Sequence, residues 1–424
     1  MNKEDFNEGL LGFLNASPTP FHATTNMSAM FSNAGFTKLD EVQKWELEEG
    51  GKYFVTRNDS SIIAFTYPKK EKNYVMVGAH TDSPNLKLKP NPVIKEHGIV
   101  KFGVEPYGGL LLTPWFDRDL SLAGRVTYLD MQGELQDILI DVKKSIATIP
   151  SLAIHLDDKA NKDKTVNKQT DISPILTVDE EFEFENFLRW QLNRLGHPDV
   201  KEIYASELSF YDMQSASYVG LRDDFIASAR LDNLLSCYVG MLSICSVDAE
   251  KPMLFIASDH EEVGSESTSG AGGSFLENTL KRMFNDYDEF MQMSRSSIMI
   301  SADNAHAIHP NFPSKHDAKH APHLNKGVVI KVNANQRYAS NSTTIAKFLH
   351  TASTLGEKTQ QFVTRSDMGC GSTIGPITAT RIGIETIDIG LPTLGMHSIR
   401  ELAGSDDAHS LYKILVNFKN SPKS

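Results

Sequence analysis

The stretch "MLFIASDHEE", residues 253–262, runs from an apolar segment into two adjacent glutamates, Glu261 and Glu262. Its first six residues have the length and composition of a buried β-strand. A pair of adjacent glutamates most often marks a solvent-exposed turn or helix start, because ionised carboxylates are rarely buried. A functional interpretation of the pair therefore needs other metal-binding or proton-carrying side chains at equivalent places along the chain.

Three further segments predict buried strands of the same kind: "NYVMVGAH" (73–80), "SSIMIS" (296–301) and "IETIDIG" (384–390). Residues 229–244 and 342–354 have the apolar periodicity of helices that cover a sheet. Strands that alternate with helices indicate βα units. The sequence therefore predicts an α/β fold with a central mixed β-sheet flanked by helices.

The middle of the chain differs in composition from the two ends. Residues from about 91 to 220 are first β-rich, and residues 157–171 form a polar segment that favours a loop. A chain of 424 residues also exceeds the size at which one hydrophobic core keeps growing. We expect a first catalytic part at 1–90, an inserted domain at 91–220 and a second catalytic part at 221–424.

Composition excludes several classes of function. The chain has 42 basic and 54 acidic side chains, a net charge of −12, and lacks a dense Lys/Arg block, which disfavours nucleic acids and anionic membranes as partners. Three cysteines are too few for a disulfide framework or a cysteine-type zinc site. The N-terminal residues resemble an amphipathic helix rather than a signal peptide, and no run approaches the roughly 18 apolar residues of a membrane span. We expect a cytoplasmic protein whose metal ligands are His, Asp and Glu.

Candidate ligands follow the predicted strands. In open α/β sheets, ligands bind outside the carboxyl ends of the strands, so residues far apart in sequence can converge there. The candidates are His80, Asp232, Glu262, Asp303 and His397. Each has a simpler explanation: Asp232 could cap its helix, and the others could be turn residues or hydrogen-bonded polar groups.

Together these side chains have the composition of a two-zinc site. Two Zn²⁺ ions that share one bridging carboxylate would each have three protein ligands and a position for water. Such a pair polarises a carbonyl and generates a hydroxide near neutral pH. Glu261, beside a ligand but not needed as one, is the candidate general base. Asp82 is the candidate partner that holds His80 in its metal-binding tautomer.

A histidine-rich segment, "AHAIHPNFPSKHDAKHAPH" (305–323), offers a competing metal site. It contains prolines, and neither a strand nor a helix pattern fixes the spacing of its histidines. We therefore expect a loop that lines a pocket, with one histidine in contact with the substrate.

Several segments resemble the signatures of the aspartyl aminopeptidase family, which includes vacuolar aminopeptidase I. They occur in the family's order and span nearly the whole chain: "SPTPFHA" (17–23), "GAHTDSP" (78–84), "RLDN" (230–233), "DHEEVGSES" (259–267), "SADNAHAIHPN" (301–311), "NQRYASN" (335–341), "GSTIGPI" (371–377) and "MHSIRE" (396–401). The resemblance implies a co-catalytic dizinc peptidase domain interrupted by a β-rich dimerisation domain. It also implies a homo-oligomer, typically a tetrahedral dodecamer built from dimers.

The resemblance also implies a role for each candidate residue. By this resemblance, His80 and Asp303 would bind one zinc ion, and Glu262 and His397 would bind the other. Asp232 would bridge the two ions, and Glu261 would be the general base.

Two further residues match substrate-binding positions of the family. Lys331 corresponds to a lysine that lines the first substrate pocket in aspartate-preferring members, and His155 to a histidine lent to a neighbouring subunit. Lys331 could instead be an ordinary strand-edge lysine, and His155, in the apolar run "SLAIHL" (151–156), a core histidine. The polar loop at 157–171, beside His155, departs from the composition expected in the family.

The sequence thus predicts a zinc aminopeptidase that releases N-terminal residues, preferably Asp or Glu, from peptides. A metal-bound hydroxide would attack the first peptide carbonyl, with Glu261 as general base. The alternatives are an aminopeptidase for neutral, leucine-like residues, a related dizinc deacylase or carboxypeptidase, and a non-enzymatic chamber protein.

Overall fold

The structure of the protein is a computed structural model that describes residues 1–284 and 286–419. Two units divide the chain. The first contains Met1–Asp82, Ala216–Met396 and the residues from Glu401 onward, and the second contains Ser83–Ser215 and His397–Arg400. The unit boundaries thus fall at 82/83 and 215/216, whereas the sequence analysis placed them at 90/91 and 220/221. Composition did not indicate that His397–Arg400 would group with the second unit.

The described residues contain the following strands: β1 (Thr37–Leu39), β2 (Gly51–Arg57), β3 (Ser61–Tyr67), β4 (Val75–His80), β5 (Asn85–Glu96), β6 (Ile99–Tyr107), β7 (Leu120–Asp130), β8 (Leu135–Asp141), β9 (Ile175–Thr177), β10 (Val200–Asp212), β11 (Ser217–Val219), β12 (Phe225–Ser228), β13 (Met253–Ser258), β14 (Ile298–Ala302), β15 (Ala305–His306), β16 (Val328–Lys331), β17 (Thr359–Phe362), β18 (Glu385–Gly390), β19 (Pro392–Leu394) and β20 (Glu401–Gly404). The α-helices are α1 (Lys3–Ala16), α2 (Pro20–Asn33), α3 (Phe184–Arg194), α4 (Leu231–Cys245), α5 (Phe275–Met283), α6 (Tyr287–Ser296), α7 (Ser342–Thr354), α8 (Ile374–Ile382) and α9 (Asp407–Asn417). By length and hydropathy, none of these helices could span a membrane.

The first unit is built on a mixed nine-stranded sheet with the order β1-β2-β3-β13-β4-β14-β18-β16-β17. Its four central neighbours, β13, β4, β14 and β18, are mutually parallel and are the four strands predicted from the sequence. Their carboxyl ends therefore lie along one edge. The prediction of an α/β fold with a central mixed sheet is confirmed.

Both faces of this sheet are covered, because its central strands alternate between two apolar clusters. Val75 and Val77 of β4 belong to a cluster formed with α1, α2, α4 and α9, whereas Met76 points into a second cluster with α5 and α6. A strand buried on both faces reads as a continuous apolar run, as this one does. The same unit also contains a five-stranded sheet with the order β11-β12-β20-β19-β15.

The second unit is β-rich, as predicted for the inserted segment. Its six-stranded antiparallel sheet has the order β8-β7-β10-β5-β6-β9, and it has its own core with side chains from α3, a helix that the sequence analysis did not predict. Residues 157–171 form turns and bends without a helix or strand. The role of this unit in dimerisation stays a prediction.

Candidate metal centre

His80, the last residue of β4, is buried at the carboxyl edge of the sheet. Its Nε2 lies 3.4 Å from Oδ1 of Asp232 and 3.5 Å from Oδ1 of Asp303, the residue that follows β14. One ligand atom from each of these three residues lies within 4.8 Å of the other two. An imidazole nitrogen and two carboxylate oxygens at this spacing are donors that zinc accepts. The predicted convergence of these three residues is present, and their chemistry fits a zinc ion.

Asp232 lies near the start of α4, but its backbone is not helical, with φ −82° and ψ 108°. Asp232 and Asn233 interrupt the helical backbone of α4, so the alternative that Asp232 caps the regular part of the helix stays a prediction. The Asp232 amide donates a hydrogen bond of 2.8 Å to Oε2 of the buried Glu401. This contact holds the Asp232 backbone in place. Glu401 ends the "MHSIRE" motif, and no feature of the sequence indicated this contact.

Glu261 and Glu262 begin a 3-10 turn, Glu261–Val263, that follows β13. The turn is tight because His260 before it and Gly264 after it have left-handed backbones, with φ 64° and 100°. His80, Glu261 and Glu262 form a second group whose ligand atoms lie within 4.8 Å of one another. The glutamate pair is therefore part of the site and not a solvated turn.

Asp82 connects the end of β4 to this turn. Its Oδ1 accepts from the Glu261 amide and its Oδ2 from the Glu262 amide, each at 3.1 Å. His80 Nδ1 lies 3.1 Å from the Asp82 carbonyl oxygen and 3.3 Å from Asp82 Oδ1, so Nε2 faces Asp232 and Asp303. The orienting contact with His80 was expected, but the two amide hydrogen bonds were not. Asp82 thus aligns two parts of the site.

The carboxylates around His80 shift its proton equilibrium. Burial alone would lower the pKa of His80, but hydrogen bonds to Asp232, Asp303 and Asp82 raise this pKa well above its ordinary value. Burial, together with the charges of Asp303, Asp232 and Asp82, raises the pKa of Glu261 to about 7, although His80 opposes the shift. A carboxyl with a pKa near neutrality can exchange protons at physiological pH.

Lys331, at the end of β16, is buried rather than at a strand edge, so that alternative is wrong. Its Nζ lies 3.3 Å from Oδ2 of Asp303 and 5.4 Å from the centre of the Tyr338 ring. The amine therefore neutralises part of the carboxylate cluster. The family resemblance suggested a substrate-facing role and did not indicate the contact with Asp303.

The histidine-rich segment lines a pocket, as predicted. The pocket has a volume of about 280 Å³, and its walls include His306, His309, His316, Lys315, Arg365 and Tyr338. Arg365, which no sequence motif indicated, donates hydrogen bonds to Asp367. Lys315 and Arg365 give this basic pocket its charge, whereas burial lowers the pKa of His306 and of His316, so these two imidazoles are neutral near pH 7.

The remaining two candidates, His397 and His155, belong to the second unit. His397 has a left-handed backbone with φ 67°, and its Nδ1 donates a hydrogen bond of 3.0 Å to the Gly109 carbonyl. His155 lies in an exposed turn between Ile154 and Leu156, whose side chains are 61% and 74% exposed. The interpretation of His155 as a core histidine is therefore wrong. The predicted functions of both residues stay predictions.

A buried histidine surrounded by carboxylates at the carboxyl edge of a mixed sheet has the donor atoms of a divalent-metal site. Comparison with known proteins makes the class specific. The family model described as "Aminopeptidase I zinc metalloprotease (M18)" matches residues 13–419. The chain belongs to this family of zinc-dependent metallo-aminopeptidases.

Individual relatives agree with this assignment. A protein of Ectopseudomonas mendocina named "Probable M18 family aminopeptidase 2" is 52% identical over 427 residues, which cover 99% of each chain. A chain in the cryo-EM structure of the Ape4 and Nbr1 complex superposes with a TM-score of 0.94 at 37% identity, covering 98% of this chain and 85% of that one. A chain of the S. cerevisiae mApe1 dodecamer superposes with a TM-score of 0.86 at 28% identity, covering 99% and 97%.

Proposed function

We propose that the protein releases single N-terminal residues from peptides, with a preference for Asp and Glu, and that it binds two zinc ions per subunit. The observation that supports this proposal is the convergence of His80, Asp232 and Asp303 beside Glu261 at one edge of the sheet.

His80 and Asp303 would hold one zinc ion, with Asp232 shared between the two. Glu262 would hold the other ion together with His397, an assignment that rests on the family resemblance. When bound, the ions would polarise the substrate carbonyl and lower the pKa of water.

Glu261 would act as the general base. Its carboxylate would take a proton from the attacking water and then donate it to the leaving amine nitrogen, while the carbon–nitrogen bond breaks. Asp82 would keep this carboxylate in place, because it accepts the hydrogen bond from the Glu261 amide.

The acidic preference requires a local positive charge, since a net charge of −12 repels acidic substrates. This pocket would receive the first side chain and would supply the charge through Lys315 and Arg365, although Asp367 offsets part of the Arg365 charge. Lys331 would contribute a further positive charge, and its amine would be shared between the substrate carboxylate and Asp303. The alternative is a preference for neutral, leucine-like residues.

The proposal includes a homo-oligomeric, cytoplasmic enzyme. The dodecamer of the yeast relative supports an assembly of the same type here. The turn that carries His155 is exposed and available for contact with another subunit. In such a contact, His155 would reach the active site of the neighbouring subunit.

The test uses tetrapeptides that differ only in their first residue, Asp, Glu, Leu or Ala, and an N-acetylated aspartyl control. We expect release of the first residue, the highest kcat/KM for Asp or Glu, and no cleavage of the acetylated peptide. Release of the last residue, or deacetylation, would instead indicate a carboxypeptidase or a deacylase.

Lys331→Ala tests the origin of the preference. We expect the Asp/Leu ratio of kcat/KM to fall about tenfold, as for the loss of one charged contact. Lys347→Ala is the control, because Lys347 lies on α7 and pairs with Glu385. An unchanged ratio in Lys331→Ala would contradict a role of Lys331 in substrate selection.

A further inference from the structure

Two segments that carry the family resemblance, residues 335–341 and 371–377, contain none of the proposed catalytic groups. Both contact Asp388, a fully buried residue of β18. Asp388 Oδ2 accepts a hydrogen bond of 2.6 Å from the Ala339 amide, and Oδ1 accepts one of 2.7 Å from the Thr373 hydroxyl. One side chain thus joins two segments that lie more than thirty positions apart in the sequence.

The backbone of each segment is fitted to this carboxylate. A Cβ atom on Gly375 would lie 2.2 Å from Asp388 Oδ1, so only glycine permits this approach of α8 to Asp388. On the other side, the Ser340 hydroxyl accepts a hydrogen bond of 2.9 Å from the Asp388 amide. A buried carboxylate is costly unless it is hydrogen-bonded, and here the donors come from two separate loops.

Both segments also border the basic pocket. Tyr338, next to Ala339, lines one wall, and Gly371, two residues before Thr373, lines another. Tyr338 packs against Phe362, which also lines the pocket. The contacts of Asp388 therefore fix the positions of two walls without Asp388 itself lining the pocket.

We propose that Asp388 is a positioning residue that sets the separation of these two walls and thereby selects the first residue of the substrate. The proposal rests on the proposed function, in which this pocket receives the first side chain. It assigns a purpose to the "NQRYASN" and "GSTIGPI" segments, which the metal centre does not use.

The test measures KM and kcat separately for Thr373→Val, which removes the hydroxyl but keeps the volume of the side chain. The substrates are the aspartyl and alanyl tetrapeptides, and the enzyme is zinc-loaded. We expect KM for the aspartyl peptide to rise about tenfold, while kcat and zinc content stay near the parent values. Thr373→Ser, which restores the hydroxyl, should return KM to the parent value.

Two further variants separate this role from a general loss of structure. Thr378→Val removes a hydroxyl from a buried threonine within α8, five positions after Thr373, and should leave KM unchanged. Gly375→Ala, in the same segment as Thr373, would place a Cβ atom 2.2 Å from Asp388 Oδ1 and should raise KM as Thr373→Val does. Unchanged KM in both Thr373→Val and Gly375→Ala, or a KM change that Thr373→Ser does not reverse, would overturn the inference.

The substrate preference of the parent enzyme tests the proposed function separately from the role of Asp388. If the parent cleaves alanyl and aspartyl peptides equally well, the proposed acidic preference fails. The positioning role of Asp388 is then judged on KM for the alanyl peptide alone, with the same expected change and the same contradicting result.

Discussion

Replacing Asp82 by asparagine isolates the contribution of one carboxylate that orders both halves of the site. The parent side chain accepts the Glu261 and Glu262 amides on separate oxygens and lies 3.3 Å from His80 Nδ1. Asparagine has the same shape but offers only one acceptor oxygen. One of the two amides, or the imidazole, therefore faces an NH₂ group in the variant.

The magnitude follows from these contacts. A hydrogen bond to a charged group contributes about 1.5–3 kcal/mol, and a buried donor left without an acceptor costs a similar amount. We expect the free energy of unfolding of the zinc-loaded protein to fall by about 3 kcal/mol. Because partners that orient metal ligands typically change metal affinity by about 10- to 100-fold, zinc Kd should rise by that factor.

The assay is a zinc titration against a competing chelator, combined with denaturant unfolding of the loaded protein. Asp212→Asn is the matched control, because Asp212 is a buried carboxylate of the second unit that pairs with Arg118. It should lose stability and keep the parent zinc Kd. If Asp82→Asn also keeps the parent zinc Kd, the role of Asp82 in ordering the site is refuted.

Two further predictions concern stability away from the site. In Gly240→Ala the new Cβ would lie 2.5 Å from the Phe255 ring, so we expect the free energy of unfolding, measured with denaturant, to fall by about 1–3 kcal/mol. Gly12→Ala, in open space on α1, should instead raise the free energy of unfolding by up to about 1 kcal/mol. Equal effects of the two changes would contradict this prediction. Burial lowers the pKa of Lys251 to about 8, and its amine donates a hydrogen bond to the Val416 carbonyl. Between about pH 8 and 10 the unfolded chain therefore binds more protons than the folded chain, and the free energy of unfolding rises with pH in that range. Relative to Lys251→Met, the parent should gain about 1–2 kcal/mol across this range, after discounting for solvent that reaches the amine, and a flat difference would refute the assignment.

The positions of the central strands and of the residues that follow them could be predicted from the sequence. Short apolar runs such as residues 75–79 are typical of strands buried on both faces, and parallel strands bring their carboxyl ends to a common edge. That geometry, without any knowledge of the loops, brings His80 and Asp303 together. The division of the glutamate pair into a ligand and a base stays a prediction.

The contacts that order the site could not be predicted in the same way. The hydrogen bonds of Asp82 to the Glu261 and Glu262 amides depend on a 3-10 turn whose shape is set by the left-handed residues around it. The ion pair of Lys331 with Asp303 joins an antiparallel strand to the end of a parallel one. Neither contact leaves a periodic signal, because each depends on tertiary packing between distant segments.

The grouping of His397 with the second unit has the same origin. The segment 397–400 connects β19 to β20, two strands of the first unit, and a chain pattern assigns it to that unit. His397 Nδ1 instead donates a hydrogen bond to the Gly109 carbonyl, and the His397 carbonyl oxygen accepts one from the Leu111 amide. Amino-acid composition cannot predict that a short segment of one unit groups with the other.

The most direct test of the account is Glu261→Gln, measured for both bound zinc and turnover of the aspartyl tetrapeptide. The amide keeps the shape of the side chain but cannot accept the proton of the attacking water. We predict two zinc ions per subunit in the parent and the variant alike, with kcat lower by roughly a thousandfold in the variant. Retained turnover would contradict the role of Glu261 as general base, and loss of zinc would show that Glu261 is instead a ligand.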